Sequence, residues 1–135
     1  MISTERAREL RDAGLVWHPQ SGDRFQLDEP EFEADVFTVS DMTIEARNFS
    51  TGGILAFNGT TEWALDSVAQ EDALWLPSEE QLRELLRATF RALRRLPDTY
   101  EVEVEIAGEH LVYAHPEPSD AYALALLELL HRVTD

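Results

Sequence analysis

The sequence predicts an α+β fold: a mainly antiparallel sheet with three to four helices packed on it, forming a single-domain sandwich over residues 1–135. Three observations predict it. Residues 101–106, EVEVEI, alternate acids with apolar side chains, and Gly108 followed by HLVYAH (110–115) completes the pattern of a half-buried hairpin. Three stretches, 61–70, 78–96 and 119–133, repeat apolar residues at helical spacing. The apolar fraction of 44% is that of a chain with a packed core, and no repeat or low-complexity linker divides it.

The elements follow in order. Ser3 is a candidate N-cap for a short first helix whose Ala7, Leu10 and Ala13 share a stripe, with Gly14 as a left-handed stop. Residues 15–58 read as strands. LVW (15–17) and FQL (25–27) flank the turn-rich HPQSGD, and the acid-rich, proline-containing 28–35 reads as an exposed connection. In 35–47 a turn at Ser40-Asp41 would pair Phe37 with Ile44 and Val39 with Met42, giving two consistent faces. Gly52-Gly53 offers a second tight turn into ILAFN (54–58). In 61–70 Trp63, Leu65 and Val68 recur as on a helix. Ser78 with Gln81 forms a capping box for a longer helix, 78–96, with Leu82, Leu85, Leu86, Thr89, Phe90, Leu93 and Leu96 inward and Pro97 as its stop. The last helix is expected to be capped by Ser119 and to run to about Val133. Its apolar residues occupy more than one side, which predicts burial within the fold or against a second subunit.

Glu101, Glu103 and Glu105 fall on one face of the 101–115 hairpin with His110, Val112 and Ala114. Val102, Val104, Ile106, Leu111 and Tyr113 fall on the other. Carboxylates two apart on a strand lie about 7 Å apart and parallel, so the row reads as a solvated face that discourages edge pairing and not as an ion site.

Composition narrows the function classes. The net charge is −16, with eleven cations, all arginine, against 27 acids. Such a field repels phosphate, so direct nucleic-acid binding and anionic membranes are disfavoured. The absence of cysteine removes disulfides, thiol catalysis and Cys-ligated metals. The polar N-terminus and the lack of a long apolar run predict a cytoplasmic protein.

Motifs for catalysis are absent: no G-x-S-x-G, P-loop, dinucleotide glycine pattern or H-E-x-x-H occurs. His18, His110, His115 and His131 show no zinc spacing, and residues 28–35 do not match a calcium loop. No cofactor is therefore expected. Trp17, beside His18 and Pro19, reads as core or as a pocket wall. The helix 78–96 carries its acids early and its arginines late, which suits the helix dipole. It also gives a basic ridge on an acidic protein. Arg83, Arg87, Arg91 and Arg94, with Leu124 and Glu128 on the outer side of the last helix, form the candidate interaction surface.

The order helix, hairpin, PSDAYALALLELL, preceded by NFSTGG and TTEWALDSV, resembles small uncharacterised phage and prophage proteins with an α/β sandwich. The likeness spans about residues 48–133. It implies a phage or mobile-element context and no established activity, and it carries no site residues. The acidic strands of 15–47 and the helix 78–96 depart from that layout. The functional expectation is a non-enzymatic protein-interaction module, acting on a protein partner or on itself as a homodimer. Two alternatives stand beside it: a nucleic-acid-mimicking decoy for a basic DNA-binding protein, and a metal-dependent hydrolase built on His18, Asp23 or the 28–35 acids.

Overall fold

The computed structural model describes residues 1–27, 35–39, 44–49, 52–57, 67–69 and 72–134. They form an α+β protein of antiparallel pairings and three α-helices. The chain folds as two compact units. Unit 1 joins residues 1–16 to 76–135, and unit 2 is Trp17–Trp75.

Unit 1 begins with α1 (Thr4–Asp12). The Ser3 hydroxyl caps it by accepting from the Arg6 N–H at 3.2 Å. At its end the Gly14 N–H reaches the Arg11 carbonyl and the Leu15 N–H reaches that of Leu10, both at 3.0 Å. That double closure requires a left-handed residue, and Gly14 supplies it with φ of 106°. Leu15–Trp17 is irregular chain and not the expected strand.

The capping box of α2 (Glu79–Leu86) is present as read: the Ser78 hydroxyl accepts from the Gln81 N–H, and the Gln81 side chain accepts from the Ser78 N–H. The helix expected to run to residue 96 ends ten residues earlier. Arg87 takes φ 53° and ψ −134°, which no helix accommodates, and a 3-10 turn (87–89) leads into strand β7 (Phe90–Arg95). Leu82 and Leu86 are fully buried, whereas Leu93 and Leu96, assigned to the same stripe, are each 38% exposed.

Strands β7, β8 (Tyr100–Ile106) and β9 (Glu109–His115) form an antiparallel meander. Val104 pairs with Leu111 and Val102 with Tyr113 about the turn Ala107-Gly108, the second of the two registers that the alternation allows. Val102, Val104 and Ile106 are buried, so the hairpin turns the expected face inward. Helix α3 (Pro118–Thr134) packs on β8 and β9 and also meets α1 and α2. Residues 119–127 are therefore buried around almost the whole helix, Leu124 alone being half-buried. The over-apolar sequence is explained by burial inside unit 1. Ser119 is not its cap. Glu117 holds that position, its carbonyl accepting from Asp120 and Ala121, and Pro118 occupies the first turn, where a missing N–H costs nothing.

Unit 2 holds two small sheets. In one, β1 (Arg24–Leu27) lies between β2 (Phe37–Thr38) and β6 (Ala73–Leu76, whose last residue belongs to unit 1). In the other, β3 (Ile44–Phe49), β4 (Gly52–Phe57) and β5 (Ser67–Ala69) form a meander. Phe37 pairs with Phe25 and not with Ile44, because β2 and β3 belong to different sheets. The pair Gly52-Gly53 starts β4 opposite Phe49 and Asn48 instead of forming a turn. Residues 67–69, expected to be helical, pair with β4. The turn proposed at Ser40-Asp41, the connection 28–34 and the rest of the helix proposed at 61–70 lie outside the described residues.

Candidate interaction surface

The outer face of β7–β9 gathers the charges that the sequence placed on separate elements. Glu103 sits on the central strand. From β7 the Arg94 guanidinium donates to its Oε1 at 2.8 Å, and from β9 the His110 Nε2 lies 3.1 Å from the same oxygen. Neither residue is directly opposite Glu103. Arg94 pairs in register with Glu101, and His110 with Glu105. Both reach Glu103 along the sheet diagonal, a span that long side chains cover. Arg91 pairs with Glu105 at 3.5 Å, brought over by the irregularity between Phe90 and Ala92.

This ladder has an electrostatic signature. The Arg94 hydrogen bond, reinforced by Arg94 charge and by His110, holds the Glu103 carboxyl below its ordinary range, against a smaller opposing push from desolvation. The glutamate row is on the solvent side, as its alternation requires. It is nonetheless laced to both neighbouring strands. Val112 (45% exposed) and Ala114 share the face, which is thus part charged and part apolar.

The six candidate residues do not gather on one surface. Arg83 lies on α2, where the neighbouring Tyr122 hydroxyl holds its guanidinium above its ordinary value. Arg87 occupies the strained helix end. Arg91 and Arg94 lie on the outer sheet face. Leu124 and Glu128 belong to α3, on the opposite side of that sheet, and Glu128 meets Arg132 at 3.7 Å. Arg132 also bonds Glu109 at 2.8 Å, which ties the end of α3 to the hairpin. The helical spacing of 78–96 hides the contribution of β7 and its pairing with Glu103.

Asp120, His115 and Asp23 have structural tasks. Asp120 is 3% exposed. It accepts from the Ser3 N–H at 2.8 Å, and its other oxygen lies 3.6 Å from the His115 Nε2. The His115 Nδ1 accepts from the Glu117 N–H at 2.9 Å, so the neutral ring carries its proton on Nε2, toward Asp120. Both ring nitrogens are engaged in joining the β9–α3 turn to the N-terminus. In unit 2 the Asp23 carboxylate accepts from the Trp17 Nε1–H at 2.9 Å and the Gln20 N–H at 3.0 Å, closing a turn within HPQSGD. Trp17 is a core residue, stacked on Trp75 and tilted against Phe25.

An open depression of about 590 Å³ in unit 1 is lined by Glu9, Asp12, Ala13, Gly14, Leu127 and His131. Glu9 is paired with Arg6 and Asp12 with Arg11. Among the described residues no three His, Asp or Glu side chains are grouped to hold a metal ion, and no helix is long and apolar enough to cross a membrane. No family model, no curated protein and no solved structure matches the chain.

Proposed function

We propose that this protein is a non-enzymatic interaction module that contacts other protein through the outer face of its β7–β8–β9 sheet. The observation that carries the reading is the make-up of that face. It is an exposed, three-stranded surface whose arginines, histidine and glutamates are matched among themselves, with Val112 and Ala114 standing open beside them. A face whose arginines are already paired with its own glutamates does not depend on long-range attraction, and its apolar part gains from being covered. The engagement of His115, Asp120 and Asp23 in structural hydrogen bonds supports a non-catalytic role.

The test compares the wild type with the double variant V112R/A114R, after circular dichroism establishes that both fold. Sedimentation first asks whether the chain pairs with itself as a homodimer. Affinity capture then asks for another protein. Either association should be lost in the variant, and equal association by both proteins would refute this face.

A charge decoy for a DNA-binding protein is the second reading. Residues 17–75 favour it, with twelve acids against two arginines. It predicts capture of nucleic-acid-binding proteins that falls steeply with salt. The same proposal extends to a single-domain sandwich in a cytoplasmic setting of phage or mobile-element origin. One protease-resistant fragment of full length and phage genes beside the coding sequence would support it.

A further inference from the structure

We infer that the free edge of β7 is a strand-addition site for an extended acidic segment of a partner protein. This rests on the interaction reading above and names the chemistry of the partner. The first ground is backbone. β7 is the outermost strand of its sheet, paired with β8 alone among the described residues. The Leu96 N–H donates to the Thr99 carbonyl at 2.9 Å, which sets the alternation of the ladder. From there Arg94 and Ala92 turn their backbone groups toward β8, and Leu93 and Arg95 turn theirs to the open side. These two residues are exposed, and an added strand would find their N–H and C=O groups unused by the sheet.

The second ground is charge. Between Glu84 and Asp98 the chain carries Arg87, Arg91, Arg94 and Arg95 and no acid, in a protein with 27 acids. Arg94 and Arg91 project on the outer side through their contacts with Glu103 and Glu105, and Arg95 belongs to the other side of the strand. An incoming strand with carboxylates therefore meets a guanidinium whichever face they take. The existing pairs are exposed and weak, and each guanidinium has donors to spare.

A second copy is the poorer occupant. Two β7 edges side by side would set arginines against arginines. A β7 edge on the acidic surface of another copy would be head-to-tail, building rings or filaments and not a closed pair. The overall charge of −16 opposes an acidic partner only at long range, since screening at physiological salt acts beyond about 8 Å.

The test is fluorescence anisotropy with three labelled ten-residue peptides against the full chain at 0.15 M salt: alternating Glu-Thr, alternating Lys-Thr, and alternating Glu-Pro. The Glu-Pro peptide has the same charge as the first but cannot add as a strand. Glu-Thr should bind at least tenfold more tightly than either control. Leu93→Pro removes an edge N–H without touching the β8 ladder and should weaken Glu-Thr at least tenfold. Arg95→Glu, which asks nothing of the backbone, should weaken it at least fivefold. Equal binding of Glu-Thr and Glu-Pro, or no binding of Glu-Thr, overturns the inference. V112R/A114R alters β9, away from this edge, and should bind the peptide as wild type does. Loss of partner capture in that variant together with absent peptide binding would therefore sink the edge site and leave the sheet-face reading standing.

Discussion

Ala107 and Gly108 both adopt positive φ, 51° and 80°, at the β8–β9 turn. A two-residue hairpin loop of this hand suits the twist of the strands and asks for a left-handed residue at both places. Glycine meets the demand, whereas alanine is strained there by about 1 kcal/mol. Ala107→Asn should therefore raise stability by about 0.5–1 kcal/mol, seen as a higher urea midpoint with an unchanged slope. Asp120 gives a prediction of the opposite sign. Asp120→Ala leaves the buried-side Ser3 N–H without its acceptor and His115 without its carboxylate, a loss of about 1–3 kcal/mol by the same measurement. Much of this local chemistry was legible in the sequence. The Ser3 cap, the Gly14 stop and the Ser78–Gln81 box are formed as their residue types dictate. Ser119 misled because the proline before it already fills the first helical position, which moves the cap to Glu117. The Asp120–Ser3 bond spans 117 positions, and no local pattern encodes it.

At the level of elements, the two segments expected to be helical and found as strand, 90–95 and 67–69, were each claimed by a sheet neighbour, and in 90–95 the irregularity between Phe90 and Ala92 brings residues three apart onto one face. Phe90 and Leu93 continue the leucine stripe of α2 by steps of four and three, the spacing of a longer helix. The same residues sit on the inner side of β7, against Val104 and Val102. What decides is Arg87, whose backbone cannot stay helical, and the sheet partner waiting in β8. Ser67–Ala69 was likewise claimed by a strand neighbour that the sequence alone does not display. The hairpin 101–115 was readable because six strictly alternating residues, 101–106, leave a single period open. Its Glu103 supplies a pH prediction. The carboxyl is held below its ordinary value in the folded protein, so it contributes stability above the unfolded carboxylate range, about pH 4.3, and loses it as pH falls through the folded value. Arg94→Ala removes the main cause of the depression. The variant should lose stability relative to wild type near neutral pH, and the gap should narrow as pH drops below about 4. A constant gap from pH 7 to pH 3 in urea titrations would show that Arg94 acts by packing alone.

Across the whole molecule the charge is unevenly shared. Unit 2 carries a net −10 and unit 1 a net −6, with nine of the eleven arginines in unit 1. The boundary between the units was not legible, because unit 1 is assembled from both ends of the chain and no linker marks where it is interrupted. The charge itself was legible, and it fixes the response to salt. Two effects compete. Salt weakens the exposed ion pairs, such as Arg94–Glu103 and Arg132–Glu109, which solvent already screens. Salt also screens the mutual repulsion of 27 carboxylates, which favours the expanded chain over the compact one. At about 0.01 M salt the screening length is near 30 Å, so every acid in the chain feels the others; at about 0.15 M it is near 8 Å, and only neighbours do. The repulsion grows with the square of the net charge and the pairs only with their number, so repulsion should win. The thermal midpoint is expected to rise by several degrees between 0.01 M and 0.15 M sodium chloride, and then to level off. A midpoint that falls over this interval would mean that the arginine–glutamate ladder, and not the bulk charge, governs the electrostatic stability of the fold.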